Sequence, residues 1–90
     1  MNIKSKVTIS KNVFAQEIDD ETIILDSTTQ EYFSLNEIGK VIWSLLSENK
    51  NLEQIKEEML EMYEVPEEQL EKDVLNFLQA LEQKGLISID

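Results

Sequence analysis

Ninety residues suffice for one domain around a single core, and 19 acidic residues against eight lysines set a formal net charge of −11. The chain has no His, Cys or Arg, which excludes His-assisted nucleophilic catalysis, soft-metal sites and disulfide stapling, and removes the forked donor favoured for phosphates and guanine edges. A field of this sign repels nucleic acid and anionic membrane surfaces and attracts basic partners, while the same charge also keeps a small protein soluble.

Residues 1–6 are polar and expected to be disordered; they carry lysines but no apolar stretch of the kind a secretory signal needs. No apolar run approaches the ~20 residues of a membrane span, and the lack of Cys fits a cytoplasmic location. Val7 and Ile9 alternate with Thr8 as a short strand would. Val13 to Ile18 and Thr22 to Asp26 form two further strands around an acidic turn, Asp19-Asp20-Glu21. The polar cluster Ser27-Thr28-Thr29-Gln30 turns the chain again into Glu31-Tyr32-Phe33-Ser34-Leu35. Short strands joined by tight turns predict an antiparallel meander from Val13 to Leu35.

The remainder reads as three helices. Asn36 is a good N-cap, and Ile38, Val41, Ile42, Leu45 and Leu46 recur on one face through Ser47. Asn51 caps the next helix with Gln54 as its capping-box partner; Leu52, Ile55, Met59, Met62 and Tyr63 form its apolar side, with Glu57, Glu58 and Glu61 toward water. Pro66 suits the start of a third helix that runs through about Lys84 and buries Leu70, Val74, Phe77, Leu78 and Leu81. Gly85 stands where a left-handed C-terminal cap is wanted, and Leu86 to Ile89 leave as an extended tail. The order predicts an α+β, winged-helix-like single domain over residues 1–90: an N-terminal three-stranded antiparallel meander, then three helices.

Little here could do covalent chemistry. Glu57, Glu58 and Glu61 have the spacing of a solvated helix face rather than a catalytic carboxylate pair, and Asp19-Asp20-Glu21 is too short for a calcium loop. No catalytic residue, metal site or cofactor is therefore assigned. Trp43 borders the apolar stripe and is read as packing, the Met59–Met62 pair as core filler, and Gly39 as permitting close approach of another backbone.

The stretch Glu31 to Leu35 is more informative. Alternation puts Tyr32 and Ser34 on one face and Glu31, Phe33 and Leu35 on the other. As the last strand of a meander it is an edge, and it lacks the Lys or Pro that commonly blunts one. Either the chain's own tail or helix covers it, or it templates an added peptide strand. On the third helix, Asp73, Asn76, Phe77 and Ala80 flank the core stripe at three-and-four spacing, and small Ala80 beside Phe77 predicts a shallow apolar notch.

The run Tyr32-x-Ser34-Leu35-Asn36-x-x-Gly39-x-x-Ile42-Trp43-x-Leu45-Leu46, then Leu52-x-x-Ile55, Tyr63-x-Val65 and Leu70-x-x-Asp73-Val74-x-x-Phe77-Leu78-x-x-Leu81-x-x-x-Gly85-Leu86-Ile87, resembles the PqqD-like family across about residues 13–89. The resemblance implies a RiPP recognition element, which binds the leader segment of a ribosomally synthesised precursor peptide as an added strand on the third strand of the meander, against the third helix. It implies leader contacts at Gln30, Glu31, Tyr32, Phe33, Ser34, Asp73, Asn76, Phe77 and Ala80. It also implies delivery to a separate enzyme: a transglutaminase-like leader peptidase, as in lasso-peptide biosynthesis, or a radical SAM enzyme. The rival readings are a winged-helix DNA regulator, which the charge opposes, and an acidic protein–protein adaptor without a peptide cleft.

Overall fold

The computed structural model describes residues 6–89. The disorder expected over residues 1–6 lies outside that range except for Lys6, which stands exposed before the first strand. In chain order the elements are β1 (Val7–Ile9), β2 (Val13–Ile18), β3 (Glu21–Asp26), β4 (Tyr32–Leu35), α1 (Glu37–Ser47), α2 (Leu52–Met62), α3 (Glu67–Gln83) and β5 (Ile87–Ile89). The expected α+β arrangement is present: an antiparallel β2-β3-β4 sheet, then three helices.

Both turns of the meander follow from local chemistry. Ile18 pairs with Glu21, so the first hairpin turns on Asp19 and Asp20 alone, with φ of 50° and 69°. Two left-handed residues in a two-residue loop match the strand twist, and Asp tolerates that conformation better than most side chains. Glu21 is thus the first residue of β3 rather than part of the turn. In the second loop the buried Asp26 carboxylate accepts from the backbone N–H of Thr28 (2.8 Å) and Thr29 (3.4 Å), and Gln30 adopts φ 61°. Glu31 stays outside β4, although its carbonyl accepts from the Asp26 N–H at 2.9 Å.

α1 and α2 start as their caps dictate. The Asn36 side chain accepts from the Gly39 N–H at 2.7 Å, and Asn51 and Gln54 form a reciprocal capping box. Gly85, with φ 74°, ends α3 and lets Leu86 N–H reach the Leu81 carbonyl at 3.0 Å. The tail then does more than pack. β5 pairs antiparallel with β1 (Val7 with Ile89, Ile9 with Ile87), so the two ends of the domain form a second sheet. Ser10 fastens this clasp through its N–H to the Leu86 carbonyl and its hydroxyl to the Gly85 carbonyl.

Ile24, Ile42, Leu52, Ile55, Met59, Val74, Leu78 and Leu81 make the fully buried centre. Several expectations about side chains change. Trp43 is buried within the core rather than bordering it. Met59 is fully buried but Met62 is 55% exposed, because α2 ends there and the chain turns away. Glu58 is half-buried and pairs with Lys50 at 3.2 Å instead of facing water with Glu57 and Glu61. Gly39 admits an aromatic ring, not a backbone: a Cβ there would lie 3.1 Å from Phe77 Cε1.

Candidate functional site

The register of the sheet decides where its edges are open. Asp26 N–H bonds to the Glu31 carbonyl, so the even residues of β3 point their backbone groups at β4, and Thr22–Leu35 and Ile24–Phe33 are the hydrogen-bonded pairs. Tyr32 and Ser34 occupy the alternate positions, and their N–H and C=O groups face away from β3. That outer edge of β4 is the one the sequence singled out. Side chains alternate as expected: Phe33 and Leu35 lie on the core face, Tyr32 (70% exposed) and Ser34 on the outer face.

Beside this edge stands α3. Leu70, Val74, Leu78 and Leu81 are its buried stripe, and Phe77 is displaced to the margin, half-buried, rather than belonging to the core. Its ring meets Phe33 edge-on, with centroids 6.4 Å apart and planes at 66°. The ring is seated over Gly39 of α1, which explains a glycine in a helix interior. Asp73, Asn76, Phe77 and Ala80 follow one another at helical spacing along this flank. Asp73 and Asn76 are exposed and Ala80 is half-buried; Asp73 accepts from Gln69 Nε2 at 2.9 Å.

Of the residues picked from sequence, the structure brings Phe33 and Phe77 into contact across the β4–α3 cleft. Gln30 and Glu31 are exposed at the entry to β4, in the loop rather than in the strand. One residue was missed. Lys84, the C-cap of α3, holds its Nζ 5.6 Å from the centroid of the Phe33 ring, a cation–π contact. It lies seven residues beyond Phe77, two turns along the same face, and that spacing was the available signal. The cleft therefore has an aromatic floor, an anionic group (Asp73) toward one end and a cationic one (Lys84) at the other.

Among the described residues no three acidic, His or Cys side chains gather as a metal site requires, and no helix is long and apolar enough to cross a membrane. A groove of about 730 Å³ lies elsewhere, between β2 and α1.

Residues 21–87 match the family described as Coenzyme PQQ synthesis protein D (PqqD). A solved structure, TbiB1 in complex with the TbiA(beta) leader peptide, has a TM-score of 0.85 at 40% identity and covers 90% of this chain and 94% of that one. Lasso peptide synthetase B1 complexed with the leader peptide also reaches 0.85, at 19% identity, over 92% of this chain and 98% of its own, which establishes a shared fold. No curated protein matches the sequence.

Proposed function

The chain belongs to the PqqD family, and from that premise we propose that it is a RiPP recognition element: it binds the leader segment of a ribosomally synthesised precursor peptide as a strand added to β4. The observation that carries this reading is the outer edge of β4. Among the described residues nothing pairs with the outward backbone groups of Tyr32 and Ser34, which lie next to an aromatic cleft, and the 40%-identical relative is a leader-peptide complex. Backbone pairing supplies affinity with little dependence on side chains, and the Phe33–Phe77–Ala80 surface supplies selectivity by accepting one apolar leader residue. Gln30, Glu31, Asp73, Asn76 and Lys84 form the polar rim.

The domain works by delivery. It holds the leader while a separate enzyme acts on the precursor, and that enzyme is a transglutaminase-like leader peptidase or a radical SAM enzyme, all in the cytoplasm. The winged-helix order does not make it a DNA reader. α3 carries Glu67, Glu68, Glu71, Asp73 and Glu82 against Lys72 and Lys84, which cannot neutralise a phosphate backbone.

Calorimetric titration with the leader of the precursor made in the same biosynthetic system tests the reading. Saturable binding with unchanged peptide mass is expected. A wild-type chain that does not bind that leader, or that alters the precursor without a second enzyme, overturns it.

A further inference from the structure

The sheet has a second outer strand. β2 pairs with β3 over six continuous residue pairs, Val13–Asp26 to Ile18–Glu21, with no bulge, and Phe14 through Ile18 are all exposed. Its sequence, Val-Phe-Ala-Gln-Glu-Ile, has neither Lys nor Pro. Ser27 N–H bonds to the Asn12 carbonyl at 2.9 Å, which fixes the alternation. Phe14, Gln16 and Ile18 bond to β3, and the N–H and C=O groups of Ala15 and Glu17 point outward. Such an edge normally invites a partner unless it is blunted.

The surroundings of β2 say which partner fits. On the core face, the edge opens into the 730 Å³ groove, whose lining includes Ala15, Glu17, Val41, Glu48, Glu58 and Met62. On the outer face, Phe14 is 44% and Ile18 49% exposed. A strand laid along β2 would therefore send alternate side chains into an apolar groove rimmed by carboxylates, and the others beside Phe14 and Ile18. A lysine or arginine suits the first set: its aliphatic stem covers Val41 and Met62 while the head reaches Glu17 or Glu48. A branched aliphatic residue suits the second. Lys40 lines the groove too, but its Nζ is engaged by the Asp20 carbonyl at 3.3 Å, and Lys50 is paired with Glu58 at 3.2 Å. A second copy fits poorly, since each chain carries −11 and would bring its own Glu17 to the seam.

We infer that β2 is a second strand-addition site, for an extended segment of alternating basic and aliphatic residues on the processing enzyme. Naming the enzyme as the partner rests on the leader-delivery reading above; the edge and its chemistry do not. Leader on β4 and enzyme on β2 would then occupy opposite edges of one sheet at the same time.

The probe is a labelled peptide of alternating lysine and valine, with an alternating lysine–glycine peptide of equal charge as control, titrated into the ¹⁵N-labelled full chain. The amides of Ala15 and Glu17 should shift on binding. Affinity should fall at least tenfold in Glu17→Pro, which removes an outward N–H and the carboxylate but no bond to β3, with Ala15→Pro as the substitute should that variant not fold. Glu17→Gln separates the lost charge from the lost edge and should retain most of the binding. Ser34→Pro should leave probe affinity unchanged, and the lysine–glycine peptide should bind at least tenfold more weakly. Equal binding by folded Glu17→Pro, equal affinity for the two peptides, or shifts confined to Tyr32 and Ser34 would overturn the site. So would a wild-type dimer in sedimentation that Glu17→Pro dissociates, which assigns the edge to a second copy. Leader affinity is measured on the same variants: if wild type ignores the leader, the delivery reading fails while the β2 result stands.

Discussion

The two edges of the β2-β3-β4 sheet are built from the same backbone and differ in what stands beside them. β4 faces α3, and the space between is floored by Phe33 and Phe77 with Lys84 over one ring. β2 faces α1 and the end of α2 across a groove with carboxylates at its rim. Ladder hydrogen bonds are nearly indifferent to sequence, so an open edge alone says only that some strand could be added. In the two proposed sites the neighbouring helix turns that general capacity into a preference, for an apolar anchor at β4 and for cationic side chains at β2. Neither edge carries the Lys or Pro that would close it.

The comparison breaks if the shared middle strand is damaged. Ile24 is fully buried on β3, between Ala15 of β2 and Phe33 of β4. Ile24→Ala should cost about 2–5 kcal/mol of stability through a cavity, read by chemical denaturation, and should weaken both edges together. A variant that loses this stability yet keeps one edge at full affinity would show that the edges are not held by a common core.

Prolines separate the edges from the ladder. Phe33 N–H points at β3, so Phe33→Pro should destabilise the sheet by about 3 kcal/mol or more, and any loss of leader binding would then be indirect. Ser34 N–H points outward, so Ser34→Pro should leave the melting temperature near wild type and lower leader affinity by about 1–3 kcal/mol, from the lost hydrogen bond and the crowding ring. Wild-type leader binding by folded Ser34→Pro would rule this edge out.

Much of this contrast was legible in the chain. Asn36, Asn51 with Gln54, and Gly85 marked the helix boundaries, and the alternation of β4 was assigned correctly from hydrophobicity alone. What escaped depended on partners distant in sequence. The β1–β5 clasp joins residues at opposite ends of the chain, and neither strand is long enough to announce a pairing. By spacing Phe77 fits both the core stripe and the flank beside β4; the ring's contacts with Gly39 and Phe33 decide for the margin. The β2 edge went unremarked because a first strand gives no sign, by itself, of whether β1 will cover it.

Two changes on the helix side sharpen the β4 assignment. Ala80→Trp should fill the cleft beside Phe77 and cost about 1–3 kcal/mol of leader affinity, the range for a central anchor, with little change in melting temperature and none in the β2 probe. Undiminished leader binding would mean that the peptide does not run along α3. Gly39→Ala is a smaller test with opposed terms. Alanine favours the helix by about 1 kcal/mol, but its Cβ would press on the Phe77 ring at 3.1 Å. The Asn36 Oδ1 that caps α1 would also stand only 3.3 Å away, and these contacts oppose the helical gain, so stability should stay within about 1 kcal/mol of wild type, while a displaced Phe77 weakens leader binding measurably. A gain of stability with leader affinity intact would show that the ring's position does not matter to the cleft.

The smallest effect lies away from both edges and separates stability from binding. Lys56 of α2 pairs with Glu67 at the start of α3, at 2.9 Å. The hydrogen bond from Lys56, and then its charge, hold the Glu67 carboxyl below its ordinary range, and the same hydrogen bond raises Lys56. A carboxyl with a lowered folded-state pKa stabilises the protein above its ordinary pKa, and that contribution disappears as pH falls through the lowered value; the raised lysine loses its share only as pH climbs past its own range. The pair is exposed at the Glu67 side and screened, so the contribution is small. Melting temperatures of wild type and Glu67→Gln should therefore differ slightly at neutral pH and converge in acid, below the ordinary carboxylate range. The neutral-pH gap should also narrow in high salt. Because neither partner lines the β4 cleft or the β2 groove, leader and probe affinities should be the same in both proteins. A gap that persists unchanged in acid would mean that Glu67 acts through packing rather than charge, and altered leader affinity would mean that the seating of α3 against β4 depends on its tether to α2.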